Sequence, residues 1–108
     1  MNNNEYMQKA MRTAGKLNDD EKLLNAALGL SGESGEFADH IKKHLFQGHE
    51  LDTKHLVNEL GDIMWYVTLA AKSLGYTIDE IMESNIAKLL KRYPGEGFDA
   101  EKSINRKD

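Results

Sequence analysis

The stretch DEKLLNAALGLSGESGEFADHIKKHLF (residues 20–46) places apolar or small residues at Leu23, Ala27, Leu30, Ser34, Phe37, Ile41 and Leu45. Steps of three and four mark one face of a helix, whereas a strand alternates every second residue. The spacing therefore predicts a long helix over about 20–46, with Asn18, Asp19 or Asp20 available as its cap. Gly29, Gly32 and Gly35 lie inside it, each costing roughly 1 kcal/mol against alanine. Glycine retained at that cost points to close approach of another segment or a ligand, or to a local break near Ser31–Gly32.

Outward from this segment the pattern stays helical. Residues 4–14 put Tyr6, Ala10 and Ala14 on one stripe with Met7 and Met11 beside it, and Gly15 is placed to stop the helix. After Gln47, Gly48 and His49, Asp52 or Thr53 caps a third helix over 54–74, ended by Gly75. Its apolar stripe is Leu56, Leu60, Ile63, Val67, Ala70 or Ala71, and Leu74. Thr77 followed by Glu80 forms a capping box for a fourth helix from Ile78 to about Arg92, which Pro94 and Gly95 stop. The remainder, GEGFDAEKSINRKD, reads as an irregular tail from about residue 94. The expected fold is all-α, a four-helix bundle-like domain covering residues 1–108.

Composition narrows the chemistry. The 108 residues include one proline and no cysteine, which excludes a disulfide scaffold, a thiol nucleophile and a thiolate zinc site. A net charge of −4 argues against nucleic-acid binding, which wants a basic face. No apolar run nears the roughly 20 residues needed to span a bilayer, and the asparagines after Met1 do not resemble a signal peptide. The reading is a soluble cytoplasmic protein without membrane or nucleic-acid partners.

The acidic residues are spaced unevenly and to a purpose. At about 100° per residue, Glu33, Glu36 and His40 share one flank of the long helix, beside its apolar stripe. In NELGDIMWY (58–66), Glu59, Asp62 and Tyr66 share a flank of the next helix. Packed together, these pairs would surround one small volume with four carboxylates, which resist common ionisation unless a cation joins them. Mg²⁺, with Mn²⁺ as a substitute, suits such oxygen donors, and a polyphosphate is the matching substrate class. The plainer alternative is two solvated helix faces.

The order Glu33-x-x-Glu36, then 22 residues, then Glu59-x-x-Asp62, resembles the MazG-like all-α nucleoside triphosphate pyrophosphohydrolases, whose signature is Glu-Glu-x-x-Glu followed by Glu-x-x-Asp. The later run of Asn85, Lys88, Arg92, Tyr93 and Pro94 is similar to the family's Asn-x-x-Lys-x-x-x-Arg-Tyr-Pro ending, so the resemblance extends from about Leu28 to Arg106. Gly32 departs from it, standing where the signature has its first glutamate. The resemblance implies that Glu33, Glu36, Glu59 and Asp62 form the catalytic metal site and hold Mg²⁺. It further implies hydrolysis of (deoxy)nucleoside triphosphates to a monophosphate and pyrophosphate, a house-cleaning reaction. A carboxylate of the cluster would take the proton of the attacking water, and Glu36 is the candidate.

The remaining candidates follow from position. Asn85, Lys88 and Arg92 occupy one face at i, i+3 and i+7 and suit phosphate oxygens, or simply complement the helix dipole. Tyr66 suits a phosphate or ribose contact, and Gln8 and Arg12 are candidates for base and sugar selection. Trp65, opposite the apolar stripe of its helix, is expected at a subunit interface, and with Met64 and Leu69 it argues for a homodimer or homotetramer. His40 and His44 are read as exposed, and His49 and His55 are assigned nothing. A di-iron bundle would need Glu-x-x-His, but Asp39 and Asp62 stand in the histidine positions. The alternative function is a catalytically weak or inactive helical oligomerisation or regulatory module on the same scaffold.

Overall fold

The computed structural model describes residues 1–95 and 100–105, the latter without the Lys102 side chain. The helices are α1 (Asn3–Met11), α2 (Asp19–Phe46), α3 (Thr53–Leu74), α4 (Ile78–Arg92) and a short α5 (Ala100–Ile104). The described residues contain no strand, and the fold is all-α. The expected irregular tail holds α5, while its residues 96–99 and 106–108 lie outside the described residues.

Local chemistry sets the boundaries. Asn18 caps α2 through a capping box with Glu21, and Thr77 does the same for α4 with Glu80. Asn2 caps α1 by accepting from the Glu5 N–H, and Asp52 caps α3 by accepting from the His55 N–H at 3.0 Å. Gly75 ends α3 at φ +81°, a conformation that strains other residues, and lets the Tyr76 N–H donate to the Ala71 carbonyl at 2.9 Å.

α2 and α3 form an antiparallel hairpin. Down its length His40 meets His55, Glu33 meets Glu59 and Asp62, and Gly29 meets Tyr66. Ala26 joins Leu69 and Met11 of α1 in the buried core, with Ala10, Ala14, Trp65, Tyr66 and Ala70 packed around it. α1 and α4 lean on α3 and on each other.

The hairpin is rotated relative to the sequence expectation. Ala26 is buried and Glu33 turned partly inward, while Ala27, Ser34 and Leu45 of the expected stripe are exposed. The cause is Gly29: a Cβ there would fall inside the van der Waals envelope of the Tyr66 ring. With Gly29 against that ring, helical geometry turns positions 26, 33, 37 and 40 inward as well. α2 runs without a break at Ser31–Gly32, so close approach explains Gly29 and no interruption is needed.

Trp65 also departs from expectation. Its Nε1–H donates to the Ala10 carbonyl at 3.1 Å and to Thr13 Oγ1 at 2.9 Å, which fastens α1 to α3 rather than leaving the indole for a second chain. What α3 does leave exposed is an apolar row of Val57, Leu60, Met64, Val67 and Leu74.

The glycines separate by environment. Gly29→Ala is expected to destabilise by about 1–3 kcal/mol through overpacking against Tyr66. At Gly32, where a Cβ meets nothing within 4 Å, alanine is expected to stabilise by about 0.5–1 kcal/mol. Urea unfolding of both variants checks this, and equal effects would contradict the Tyr66 contact as the reason for Gly29.

Candidate metal centre

The rotation that places Gly29 against Tyr66 brings Glu33, one turn further along α2, opposite Glu59 and Asp62, which share a face of α3 at i, i+3. One carboxylate oxygen from each of the three lies within 4.8 Å of the others. Glu59 is buried, with 6% of its surface exposed, Glu33 is partly buried, and Asp62 is open to solvent. The trio therefore has a closed inner side and an accessible outer one.

Two oxygens of the trio's carboxylates lack what buried oxygens need. Oε2 of Glu33 and Oε2 of Glu59 are both buried without a hydrogen-bond partner, a costly state for a carboxylate. The Glu33 carboxyl is held above the ordinary glutamate range, first because it can share a proton with Glu59. Burial and the charges of Glu59 and Asp62 push the same way, while a contact with Glu36 opposes them. A proton is one way to relieve this crowding, and a divalent cation is the other. An all-carboxylate donor set with orphaned oxygens fits a hard cation of the Mg²⁺ or Mn²⁺ type.

Glu36 stands outside the close trio. It lines an adjoining cleft of ≈ 200 Å³ with Asp39, His40, Lys43, His55 and Glu59. Asp39 is occupied by Lys43 at 2.8 Å, which holds its carboxyl below the usual range. On the other side of the trio, Glu33, Asp62, Trp65 and Tyr66 line an open cleft of ≈ 380 Å³, with the Tyr66 ring edge-on to Trp65 at 5.1 Å.

The structure thus brings Glu33, Glu59 and Asp62 together and seats Glu36 and Tyr66 beside them. It does not bring Asn85, Lys88 or Arg92 to that cleft. They lie on α4, which is tied to α1 by the Asn3 Nδ2–H donating to Asp79 Oδ1 at 2.9 Å. Gln8 and Arg12 line a separate cleft of ≈ 610 Å³ against the Gly75–Thr77 turn.

Two neighbours of the trio were not anticipated. The Tyr6 hydroxyl is held above the usual tyrosine range, first by burial and then by the Asp62 charge, so α1 carries a phenol toward the site. No spacing along the chain signals a contact between residues so far apart. His55 Nε2 lies 3.2 Å from Glu59 Oε1, and here the i, i+4 spacing was a usable signal. His40 is also engaged, its Nε2 accepting from the Asp52 N–H at 3.2 Å.

Residues 21–96 match the MazG nucleotide pyrophosphohydrolase domain. The chain belongs to that family. It is 36% identical over 83 residues to the Gene 37 protein of Mycobacterium phage L5, an alignment covering 73% of each chain. No solved structure gives a significant match. The paired acids of this MazG chain all fall inside the matched span, and so does Gly32, where the open surface leaves room for the glutamate of the family signature.

The Glu33 shift has a consequence for stability. A carboxyl whose folded pKa exceeds its unfolded value contributes stability that is complete below the unfolded pKa and is lost as pH rises through the folded one. Thermal melts of metal-free protein at stepped pH are expected to fall across that window. Mg²⁺ or Mn²⁺ should restore the loss, and Glu33→Gln should flatten the slope. A variant as steep as the wild type would show that the crowding lies elsewhere.

Proposed function

We propose that this chain hydrolyses nucleoside and deoxynucleoside triphosphates to the monophosphate and pyrophosphate, in a Mg²⁺-dependent house-cleaning role in the cytoplasm. The observation that carries the reading is the trio Glu33, Glu59 and Asp62, with two orphaned buried oxygens, inside a nucleotide pyrophosphohydrolase match.

Glu33, Glu59 and Asp62 are the proposed holders of Mg²⁺, with Mn²⁺ as a substitute and Glu36 completing the metal and catalytic set. The cation supplies the positive charge without which a triphosphate would be repelled by this acidic face. Glu36, beside the trio rather than within it, is the carboxylate free to accept a proton from the attacking water. The water oxygen bonds to phosphorus, the bond from that phosphorus to the bridging oxygen breaks, and pyrophosphate leaves. The Tyr66 hydroxyl donates to a phosphate or ribose oxygen from the wall of the outer cleft.

Asn85, Lys88 and Arg92 enter the proposal as phosphate contacts supplied within a homodimer or homotetramer. Two features support such an assembly. The exposed α3 row of Val57, Leu60, Met64, Val67 and Leu74 keeps the three-and-four spacing of a helix-packing seam. The radius of gyration is 17.0 Å, against about 13 Å for a compact chain of this length. Light scattering is expected to report the oligomer, and Leu60→Glu with Val67→Glu to give monomers with impaired turnover. A monomeric wild type would refute this part.

The activity is tested with a panel of nucleoside and deoxynucleoside triphosphates, in Mg²⁺ and in EDTA, following pyrophosphate. Turnover is expected only with metal, and Asp62→Asn should lose it by about 100-fold or more, since even outer-shell partners of metals cost ~10–100-fold. Absence of turnover for every nucleotide would favour the second reading, an inactive oligomerisation or regulatory module, which the missing acid at Gly32 supports.

A further inference from the structure

Resting on the metal site proposed above, we infer that His55 is a positioning residue that aims the Glu59 carboxylate. The last torsion of a glutamate is soft, so a lone carboxylate does not keep one oxygen pointed at a site. Here His55 Nε2 lies 3.2 Å from Oε1, within reach for an Nε2–H to donate to it, and the other oxygen, Oε2, is the buried and unpartnered atom. Holding Oε1 on one side leaves Oε2, the unpartnered atom, as the oxygen available to a cation.

His55 is itself held. Asp52 accepts from the His55 backbone N–H at 3.0 Å while its own N–H donates to His40 Nε2 at 3.2 Å. The His40 ring lies 5.0 Å from the His55 ring at 40° and limits its swing away from Glu59. One loop residue, Asp52, thus fixes the start of α3, the His40 ring and, through both, the donor that orients Glu59. This is a hydrogen-bonded outer layer of the kind that orients metal-binding carboxylates.

The test is a Mn²⁺ titration of the full chain, with free Mn²⁺ read by electron paramagnetic resonance, for the wild type and for His55→Ala, His55→Leu and His55→Gln. Glutamine keeps an N–H close to the position of Nε2, whereas alanine and leucine remove it. Affinity is expected to fall ~10–100-fold in the alanine and leucine variants and to recover to within about threefold with glutamine. The His55 side chain is 48% exposed, so these variants should fold, and leucine takes over the comparison if alanine does not. Wild-type Mn²⁺ affinity in folded His55→Leu would overturn the inference. So would loss in His55→Gln equal to that in leucine, because the hydrogen bond would then not be the cause. A wild type that binds Mn²⁺ but turns over no nucleotide would remove the proposed activity and leave the positioning role intact. A wild type that binds none removes both.

Discussion

The Tyr66 ring lies against the backbone of α2 at Gly29, where no side chain obstructs it, and this contact sets how the hairpin meets. A helix docked on another has two adjustable coordinates, its rotation and its slide. Seating a ring on Gly29 fixes both. Glu33 is then carried one turn further to face Glu59 and Asp62, and His40 two turns beyond that to face His55. A glycine that looks costly in terms of helix propensity is the condition for assembling the acidic trio.

That assembly works against stability. Among the described residues the buried apolar side chains are Met11, Ala26, Leu69 and Ala71, a thin core, and next to it lies a buried glutamate with an oxygen that finds no partner. Elsewhere the structure compensates with tightly made helix ends: two capping boxes, an Asp52 cap that also engages His40, and a Trp65 indole bonded to α1. The uncompensated burial is concentrated where the proposed cation would relieve it.

Much of this was legible in the chain. The ends of α2, α3 and α4 followed from residues that act locally: Asn18, Asp52, Thr77 with Glu80, Gly75 and Pro94. The two acid pairs were legible because i, i+3 spacing guarantees a shared face wherever the helix docks. The direction in which that face points was not legible. Leu23, Ala27 and Leu45 form as good a stripe as any on α2, yet they remain largely exposed. Trp65 was misplaced for a related reason, since its helical angle gives no hint that α1 supplies a carbonyl and a hydroxyl to its N–H. α5 has no periodic stretch long enough to betray it.

The apolar stripe expected on α3 mixes two destinations. Leu56 and Ile63 turn toward the hairpin, while Leu60, Val67 and Leu74 face outward beside Val57 and Met64. The inner surface instead uses Glu59, Tyr66, Thr68 and Leu69, a mixture whose polarity hides it from a search for hydrophobic periodicity. A helix in an isolated domain seldom keeps its more regular apolar row in solvent. The arrangement makes physical sense if the inner surface is shaped by what it must hold and the outer row by what must cover it. On that view the acidic site and the proposed assembly are not separate properties of this MazG domain. Both follow from turning α2 and α3 so that carboxylates meet inside the chain while leucine, valine and methionine are left for another.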